Sequence, residues 1–244
     1  MKTNPLAAIA AAALTLCVLA SPQAYSQSAD PSIPVGSLSA HPTVVQTGTK
    51  PLLTWSISYP SQVTSVVTVG PTGTMTPLRD LYLDLRVLGA QIGDGSSWYI
   101  VEAYRKLENA TSFTRFFRGK QTDVNPSTIY HTQLVRQARP IDIQGRVASN
   151  SSSNPSAWQA FFSTGTTTQN VRALVNGDSP PSYVPAFANH SNIKSTLSPY
   201  IDASGKIRIG PMDVIFIFEL WGTATNQSYF DMQDLVVLAT FRIP

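Results

Sequence analysis

The sequence predicts an all-β protein built from β-sandwich units, with one short helix and a C-terminal β-hairpin. Hydrophobic residues alternate with polar ones along many short runs, as in "LYLDLRVLG" (81–89) and "IDIQGRV" (141–147). Gly, Pro and Asn punctuate these runs, as in the tract "SNSSSNPS" (149–156). Helical periodicity is almost absent. Short alternating strands separated by turns at about 8–12 residues are typical of a sandwich or barrel.

Each further strand is predicted from the same alternation. The runs lie at residues 52–59, 64–70, 98–107, 112–119, 127–135, 157–164 and 171–175. The last two runs, 213–220 and 234–241, differ because apolar residues occupy successive positions. A strand of that composition is expected to be buried on both faces. We therefore expect the C-terminal hairpin to need cover on each side, and a neighbouring subunit is one way to supply it.

The first 26 residues predict a secretory signal peptide. Lys2 gives a positive start, an apolar run follows from Leu6 to Ala20, and small residues follow near Ser26. The run is shorter than the roughly 20 residues of a membrane span, so we expect no integral membrane segment after cleavage. The expected location is the periplasm, the cell surface or the extracellular space.

Two segments resemble known sandwich domains. "GSLSAHPTVVQTGTKPLLTWSIS" followed by "VTVGPTGTMTP" resembles the opening of bacterial immunoglobulin-like domains, and "IQGRVASN" with "SAWQAFFSTG" is similar to the later strands of fibronectin type III domains. The resemblance implies fold only, and no named family is identified over the full length. The expected units are an immunoglobulin-like module (27–78), a fibronectin III-like sandwich (79–176), a Pro-rich connector (177–192) and the C-terminal helix plus hairpin (193–244).

The connector is the boundary that the sequence marks best. Asn176-Gly177 predicts a turn, and Pro180-Pro181 predicts extended chain, because Pro fixes its own φ and restrains its predecessor. Tyr183 and Phe187 are expected to pin this segment onto a sheet. Beyond it, Asn189 or Ser191 is a candidate helix cap. Three apolar residues then follow at helical spacing, namely Ile193, Leu197 and Ile201.

Composition excludes several partners. Only 13% of residues are charged and the formal net charge is +3, without a cluster of Lys and Arg along the chain. Nucleic acid and an anionic membrane surface are therefore not expected as partners. The single cysteine, Cys17, lies in the leader, so the mature chain forms no disulfide and depends on its hydrophobic core.

No complete catalytic or metal-binding motif is present, and no cofactor is expected. Ser191 and Lys194 match Ser-x-x-Lys, but the other motifs of that chemistry are missing, so a helix cap and an exposed lysine explain them. Asp231 and Asp234 at a strand start are interpreted as solvated or turn-capping groups. Glu219 interrupts an apolar strand and, if buried, needs a partner, for which Arg208 and Arg242 are the candidates.

Aromatic residues give the best ligand hypothesis. Flat rings on a sandwich can stack on sugar rings, although aromatics on strands are more often core or cross-strand pairs. The candidate binding residues are Trp98, Tyr104, Trp158 and Trp221. The sequence thus predicts a secreted, non-catalytic structural or surface protein that self-associates. The alternative is a carbohydrate-binding or adhesive module that binds a cell-surface polysaccharide, and a third interpretation is a hydrolase with scattered carboxylates.

Overall fold

The structure of the protein is a computed structural model that describes residues 35–41, 52–58, 62–188 and 193–244. Its strands are β1 (Val35–His41), β2 (Leu52–Ser58), β3 (Val67–Val69), β4 (Met75–Pro77), β5 (Leu81–Gly89), β6 (Val101–Leu107), β7 (Thr114–Gly119), β8 (His131–Val135), β9 (Ile141–Val147), β10 (Phe162–Ser163), β11 (Val171–Val175), β12 (Asp213–Phe218) and β13 (Leu235–Arg242). One short helix, α1, spans Pro185–Ala188, and 3₁₀ turns lie at Val63–Ser65, Gln121–Asp123 and Ser198–Tyr200. The signal peptide expected at residues 1–26 lies outside the described residues.

The strands form three antiparallel sheets. β1 and β2 pair with each other. The first sheet of the sandwich has the order β3-β4-β9-β6-β7, with β10 paired to β9, and the second has the order β11-β12-β13-β5-β8. The mostly β, sandwich-like architecture expected from the alternation is confirmed.

One continuous core joins the two large sheets. Leu81, Leu83 and Leu85 of β5 are fully buried and belong to the same apolar cluster as Val101 of β6 and Ile143 of β9. These residues are the apolar members of the alternating runs, because successive side chains of a strand point to opposite faces. The period of two in the sequence therefore determines which residues form this core.

A second apolar layer covers the opposite face of β12 and β13, as the double-sided apolar pattern predicted. Ile215 and Ile217 of β12 and Val236 of β13 are fully buried in it. The cover comes from the chain itself, through the buried side chains of Val184, Ala186, Leu197, Ile207, Phe230 and Met232. Tyr183 and Phe187 also pack there, as expected for the connector. The burial of these strands therefore needs no second copy of the chain.

The C-terminal hairpin is part of the sandwich. β13 pairs with β12 on one side and with β5 on the other, from Val236 opposite Gly89 to Arg242 opposite Tyr82. Likewise, Met75 of β4 is paired with Ile141 of β9. The expected boundaries after residues 78 and 176 thus separate strands that are hydrogen-bonded to one another.

The one or two helical turns expected between Ile193 and Ile201 are reduced, in the described residues of that segment, to a single 3₁₀ turn. Residues 195–197 form a turn, the 3₁₀ turn Ser198–Tyr200 follows, and Ile201 forms a β-bridge with Ile207. Pro199 explains the difference, because it has no N–H to donate and its ring clashes with the preceding helical turn. The candidate caps Asn189 and Ser191 lie outside the described residues. No helix of the described chain is both long and apolar enough to cross a membrane.

We expect Leu197→Ala to lower the free energy of unfolding by about 2–5 kcal/mol, the usual cost of truncating a fully buried leucine. Leu78→Ala, at a side chain that is 49% exposed, is the matched control and should cost less than about 0.5 kcal/mol. Urea denaturation of both variants measures the difference. Equal, small losses would mean that the segment around Leu197 does not pack on the second sheet.

Candidate functional site

A cleft of about 390 Å³ lies where three parts of the chain meet. They are the connection between β5 and β6, the segment that begins at Ile193, and the loop 219–234 between β12 and β13, here called the cleft loop. The exposed and half-buried residues that line it include Asp94, Tyr99, Lys194, Trp221, Tyr229 and Asp231. Its size and mixture of aromatic and polar groups are those of a small-molecule site.

Three aromatic rings form the apolar part of the cleft. Trp221 is 40% exposed and Tyr229 is 46% exposed. Tyr99 lies against Trp221 with ring centroids 5.6 Å apart and planes tilted by 48°. A Cβ atom at Gly222 would lie 3.0 Å from the Tyr229 ring, so a glycine there lets the ring approach the backbone.

Apolar side chains of the cleft loop anchor it to the second apolar layer. Phe230 and Met232 are almost completely buried in the second apolar layer. Met232 adopts a φ of 54°, which is unusual for a residue other than glycine. At the start of the loop, the buried Asn170 side chain donates to the carbonyls of Glu219 and Gly222. These contacts hold Trp221 and Tyr229 in place before any ligand arrives.

Glu219 ties the two ends of the cleft loop together. Its side chain is fully buried, and Oε1 accepts the Trp221 N–H at 3.3 Å. Oε2 accepts the N–H groups of Asp231 and Met232 at 3.0 and 3.4 Å. Asp234 acts in the same way, because its Oδ2 accepts the Leu220 N–H at 2.8 Å. A buried carboxyl group needs such partners to offset the loss of its hydration.

The carboxyl groups of Glu219 and Asp234 are in contact and share a hydrogen bond. Burial, and next the charge of Glu219, raise the pKa of Asp234 well above its ordinary value. Burial also raises the pKa of Glu219, and the charge of Asp231 adds to that effect. Two adjacent buried carboxyls cannot both ionise cheaply, so we assign one shared proton to the pair.

Lys194 joins the three parts of the chain that form the cleft. Its Nζ donates to the Gln91 carbonyl at 2.8 Å and lies 2.8 Å from Asp231 Oδ2. The same nitrogen is 3.8 Å from Asp234 Oδ1, and the Lys194 N–H donates to the Gln233 side chain at 2.6 Å. The lysine predicted to be exposed is thus half-buried and partnered on several sides.

The carboxylates could in principle hold a cation, since oxygens of Glu219, Asp231 and Asp234 lie within 4.8 Å of one another. However, both Glu219 oxygens accept backbone N–H groups, and the ammonium of Lys194 already faces Asp231. Glu219 and Asp234 thus act as a structural clamp on the two ends of the cleft loop.

The four aromatic candidates fall in different places. Trp221 lines the cleft, and Trp98 precedes Tyr99 and forms a β-bridge with Gly93 at the cleft rim. Tyr104 and Trp158 lie on the first sheet, where both rings contact the Arg146 guanidinium.

Several cleft residues carry no recognisable signal in the sequence. Tyr229 and Asp94 lie in polar turns that resemble ordinary loops, and Lys194 was interpreted as a solvated side chain. A buried acidic residue near an apolar strand, as at Glu219, was the one usable clue.

Two expectations for the carboxylates are wrong. Glu219 pairs with neither candidate arginine, because Arg242 binds Asp84 at 2.7 Å and Arg208 is exposed. Of the two interpretations given for the aspartates, solvation is wrong for Asp234, which is only 4% exposed. Turn capping describes Asp231, whose Oδ1 accepts the Gln233 N–H at 2.8 Å. For Glu219 and Asp234, the backbone N–H groups of the cleft loop take the role that was expected of water or of a cation.

No family profile, curated protein or solved structure matches this chain.

We expect Asp234→Asn to flatten the loss of stability with rising pH. A carboxyl whose folded pKa is raised stabilises the protein below its unfolded pKa of about 4, and this contribution is lost as pH rises through the folded pKa. The variant keeps the oxygen that accepts the Leu220 N–H but has no proton to lose. The difference in unfolding free energy, variant minus wild type, should therefore grow between about pH 4 and 8, by at most about 1.4 kcal/mol per pH unit.

Asp84→Asn is the control, because the pKa of Asp84 is shifted in the opposite direction from that of Asp234. Burial alone would raise the pKa of Asp84, but hydrogen bonds from Arg242 and Thr132 outweigh it and lower the pKa. Stability from Asp84 is present above its unfolded pKa and is lost as pH falls through the folded pKa, so this variant should lose more, relative to wild type, as pH rises from about 2 to 5. Urea unfolding across pH measures both. A pH-independent difference for Asp234→Asn would contradict the shared proton.

Proposed function

We propose that the protein is a secreted, non-catalytic surface protein that binds carbohydrate through the cleft between Tyr99, Trp221 and Tyr229. The observation that carries the proposal is the presence in the cleft of three aromatic rings beside a cationic hydrogen-bond donor and anionic hydrogen-bond acceptors. It develops the carbohydrate-binding interpretation of the sequence, in which Trp221 is one of the candidate aromatics.

The chemistry of the cleft matches that of a sugar ring. One face of a pyranose presents C–H groups, which pack on the negative face of an aromatic ring. The hydroxyl groups around the ring need both donors and acceptors. Asp94 and Asp231 offer acceptor oxygens at the cleft, and the Lys194 ammonium is a donor beside them.

The cleft loop is already ordered in the free protein, which favours the binding of a ligand that makes only weak contacts. The clamp through Glu219 and Asp234, with Phe230 and Met232 buried below, fixes the cleft loop in the free protein. A ligand then loses little affinity to the ordering of the protein, which is a main cost of association.

The net charge of the residues that line the cleft indicates which class of sugar it binds. Backbone hydrogen bonds from Ser96 and Ser97 lower the pKa of Asp94, so that this carboxylate is ionised at neutral pH. With Asp231 and the Glu219–Asp234 pair, the acidic groups exceed the one ammonium of Lys194 among the described residues that line the cleft. Neutral or amino sugars therefore suit the cleft better than acidic ones.

Self-association is not part of this proposal, because the face that suggested it is covered by residues such as Val184 and Leu197. The resemblance to immunoglobulin-like and fibronectin III-like units contributes only a scaffold that presents loops at the ends of its strands. Location outside the cell rests on the leader sequence at residues 1–26.

We expect Trp221→Ala to weaken binding to a polysaccharide by about tenfold or more. Tenfold corresponds to about 1.4 kcal/mol, which is less than an aromatic hot spot commonly contributes. Depletion assays on chitin, cellulose and xylan identify the ligand, and titration with a soluble oligomer of that ligand gives the affinity. Thermal unfolding of each variant verifies that the fold is intact.

Tyr82→Ala is the matched control for this experiment. Tyr82 lies on β5, and its side chain is 39% exposed, close to the value for Trp221. Its ring packs against Arg242 of β13, and neither residue lines the cleft. This control should bind like wild type. If a glycan binds and neither Trp221→Ala nor Tyr229→Ala weakens it, the cleft is not the binding site.

A further inference from the structure

Three arginines surround one buried glutamate on the outer face of the first sheet. Glu102 of β6 is 1% exposed and lies between Arg118 of β7 and Arg146 of β9 in the strand register. Its oxygens are 2.7 Å from Arg146 and 3.4 Å from Arg118. Arg115 completes the group at 2.5 Å. We call these four residues the arginine surface.

A β-bulge brings Arg115 to this surface. Glu102 and Tyr104 lie on one face of β6, and their partners on β7 are Arg118 and Arg115. Between these pairs the register shifts, so that Phe116 is the extra residue on β7. Without the bulge, the alternation of side chains would send Arg115 to the opposite face. Bulges often serve to redirect a side chain in this way.

The arginine surface carries uncompensated positive charge. Burial raises the pKa of Glu102, but hydrogen bonds from Tyr104 and Arg146 outweigh burial and bring it below its ordinary value, so the group is ionised. In the described part of the chain, Glu102 is the one carboxylate that ion pairs join to these three arginines. The side chains of Arg115 and Arg118 remain 50% and 36% exposed, and both reach the same carboxylate.

Aromatic rings lie beside the same charge. The Arg146 guanidinium lies over the rings of Trp158 and Phe161, at 4.3 and 4.5 Å from their centroids. Tyr104 contacts Phe161 edge-on, with centroids 5.3 Å apart. Phe161 is 43% exposed, so one ring is available to a ligand next to the arginines. None of these residues lines the cleft.

We propose that the arginine surface, with Phe161, is a second binding site that takes an anionic polysaccharide. Arg115 and Arg118 bind the carboxylate or sulfate groups, because a guanidinium presents two parallel N–H donors to two oxygens of such an anion. Phe161 packs against the apolar face of a sugar ring. A single exposed ring and three arginines are a small footprint for nucleic acid, which is bound by many phosphate contacts and by several stacked bases.

The experiment measures binding to dextran sulfate and to polygalacturonate, with neutral dextran as the reference, by biolayer interferometry at low and moderate salt. We expect the wild type to bind at least one polyanion, more weakly as salt rises. The double variant Arg115→Gln/Arg118→Gln should weaken binding by about tenfold or more, while Arg136→Gln/Arg139→Gln should leave it nearly unchanged. The second pair removes the same charge from exposed arginines that do not contact Glu102.

A second variant keeps the proposal falsifiable if the first lowers stability. Glu102→Gln removes the neutralising charge and leaves all three arginines, so binding should tighten severalfold. A preference for dextran sulfate or for polygalacturonate identifies sulfate or carboxylate as the group recognised. The proposal is overturned if neither polymer binds, if both double variants weaken binding equally, or if duplex DNA binds as tightly as the polysaccharides and depends on the same arginines. Because the probes are anionic, failure here leaves the cleft proposal, tested with neutral glycans, unaffected.

Discussion

The pairing of β13 with both β12 and β5 is the constraint on which the rest of the structure depends. β13 lies at the centre of the second sheet, with one face in the sandwich core and the other under the second apolar layer. Because β13 is paired on both edges and covered on both faces, the loops at its ends are partly buried. Those loops must therefore provide hydrogen-bond partners for their own buried backbone groups. The cleft loop closes one end of β13 in this way, so the demands of the fold place Trp221 and Tyr229 beside the cleft.

The closure is made by carboxyl groups, and this choice links stability to the site. Glu219 and Asp234 accept N–H groups at both ends of the cleft loop, where an apolar residue would leave these donors unsatisfied. Burial raises the pKa of both groups, and the charge of Glu219 raises that of Asp234 further, so a shared proton replaces a counterion. The most perturbed acids next to the cleft therefore hold the backbone of the cleft loop, and burial is the main cause of their raised pKa values.

Sequence pattern predicted the strands and the two-sided burial of the hairpin, because both depend on local periodicity. It did not predict which strands pair: Arg86 of β5 and Thr240 of β13 are hydrogen-bonded across 154 positions of the chain, and no local pattern encodes that partnership. Near Leu197 the expected one or two helical turns are reduced to the 3₁₀ turn at Ser198–Tyr200, because Pro199 limits the helix even more than its sequence position suggested. The burial of Asp234 could not be predicted, because a carboxylate beside an apolar run is equally compatible with solvent and with a buried backbone N–H partner. The bulge at Phe116 was equally invisible, so Arg115 and Arg118 could not be assigned to one face.

The cleft and the arginine surface carry net charges of opposite sign, so the two proposals assign them sugars of opposite charge. The cleft holds more carboxyl groups than cations, and the arginine surface holds three cations around one carboxylate. An acidic sugar is repelled from the first and attracted to the second, and an amino sugar behaves in the opposite way. A mixed glycan that spans both surfaces would gain affinity through effective concentration even if each contact is weak. A rigid sandwich is suited to this role, because it keeps the distance between the two surfaces fixed.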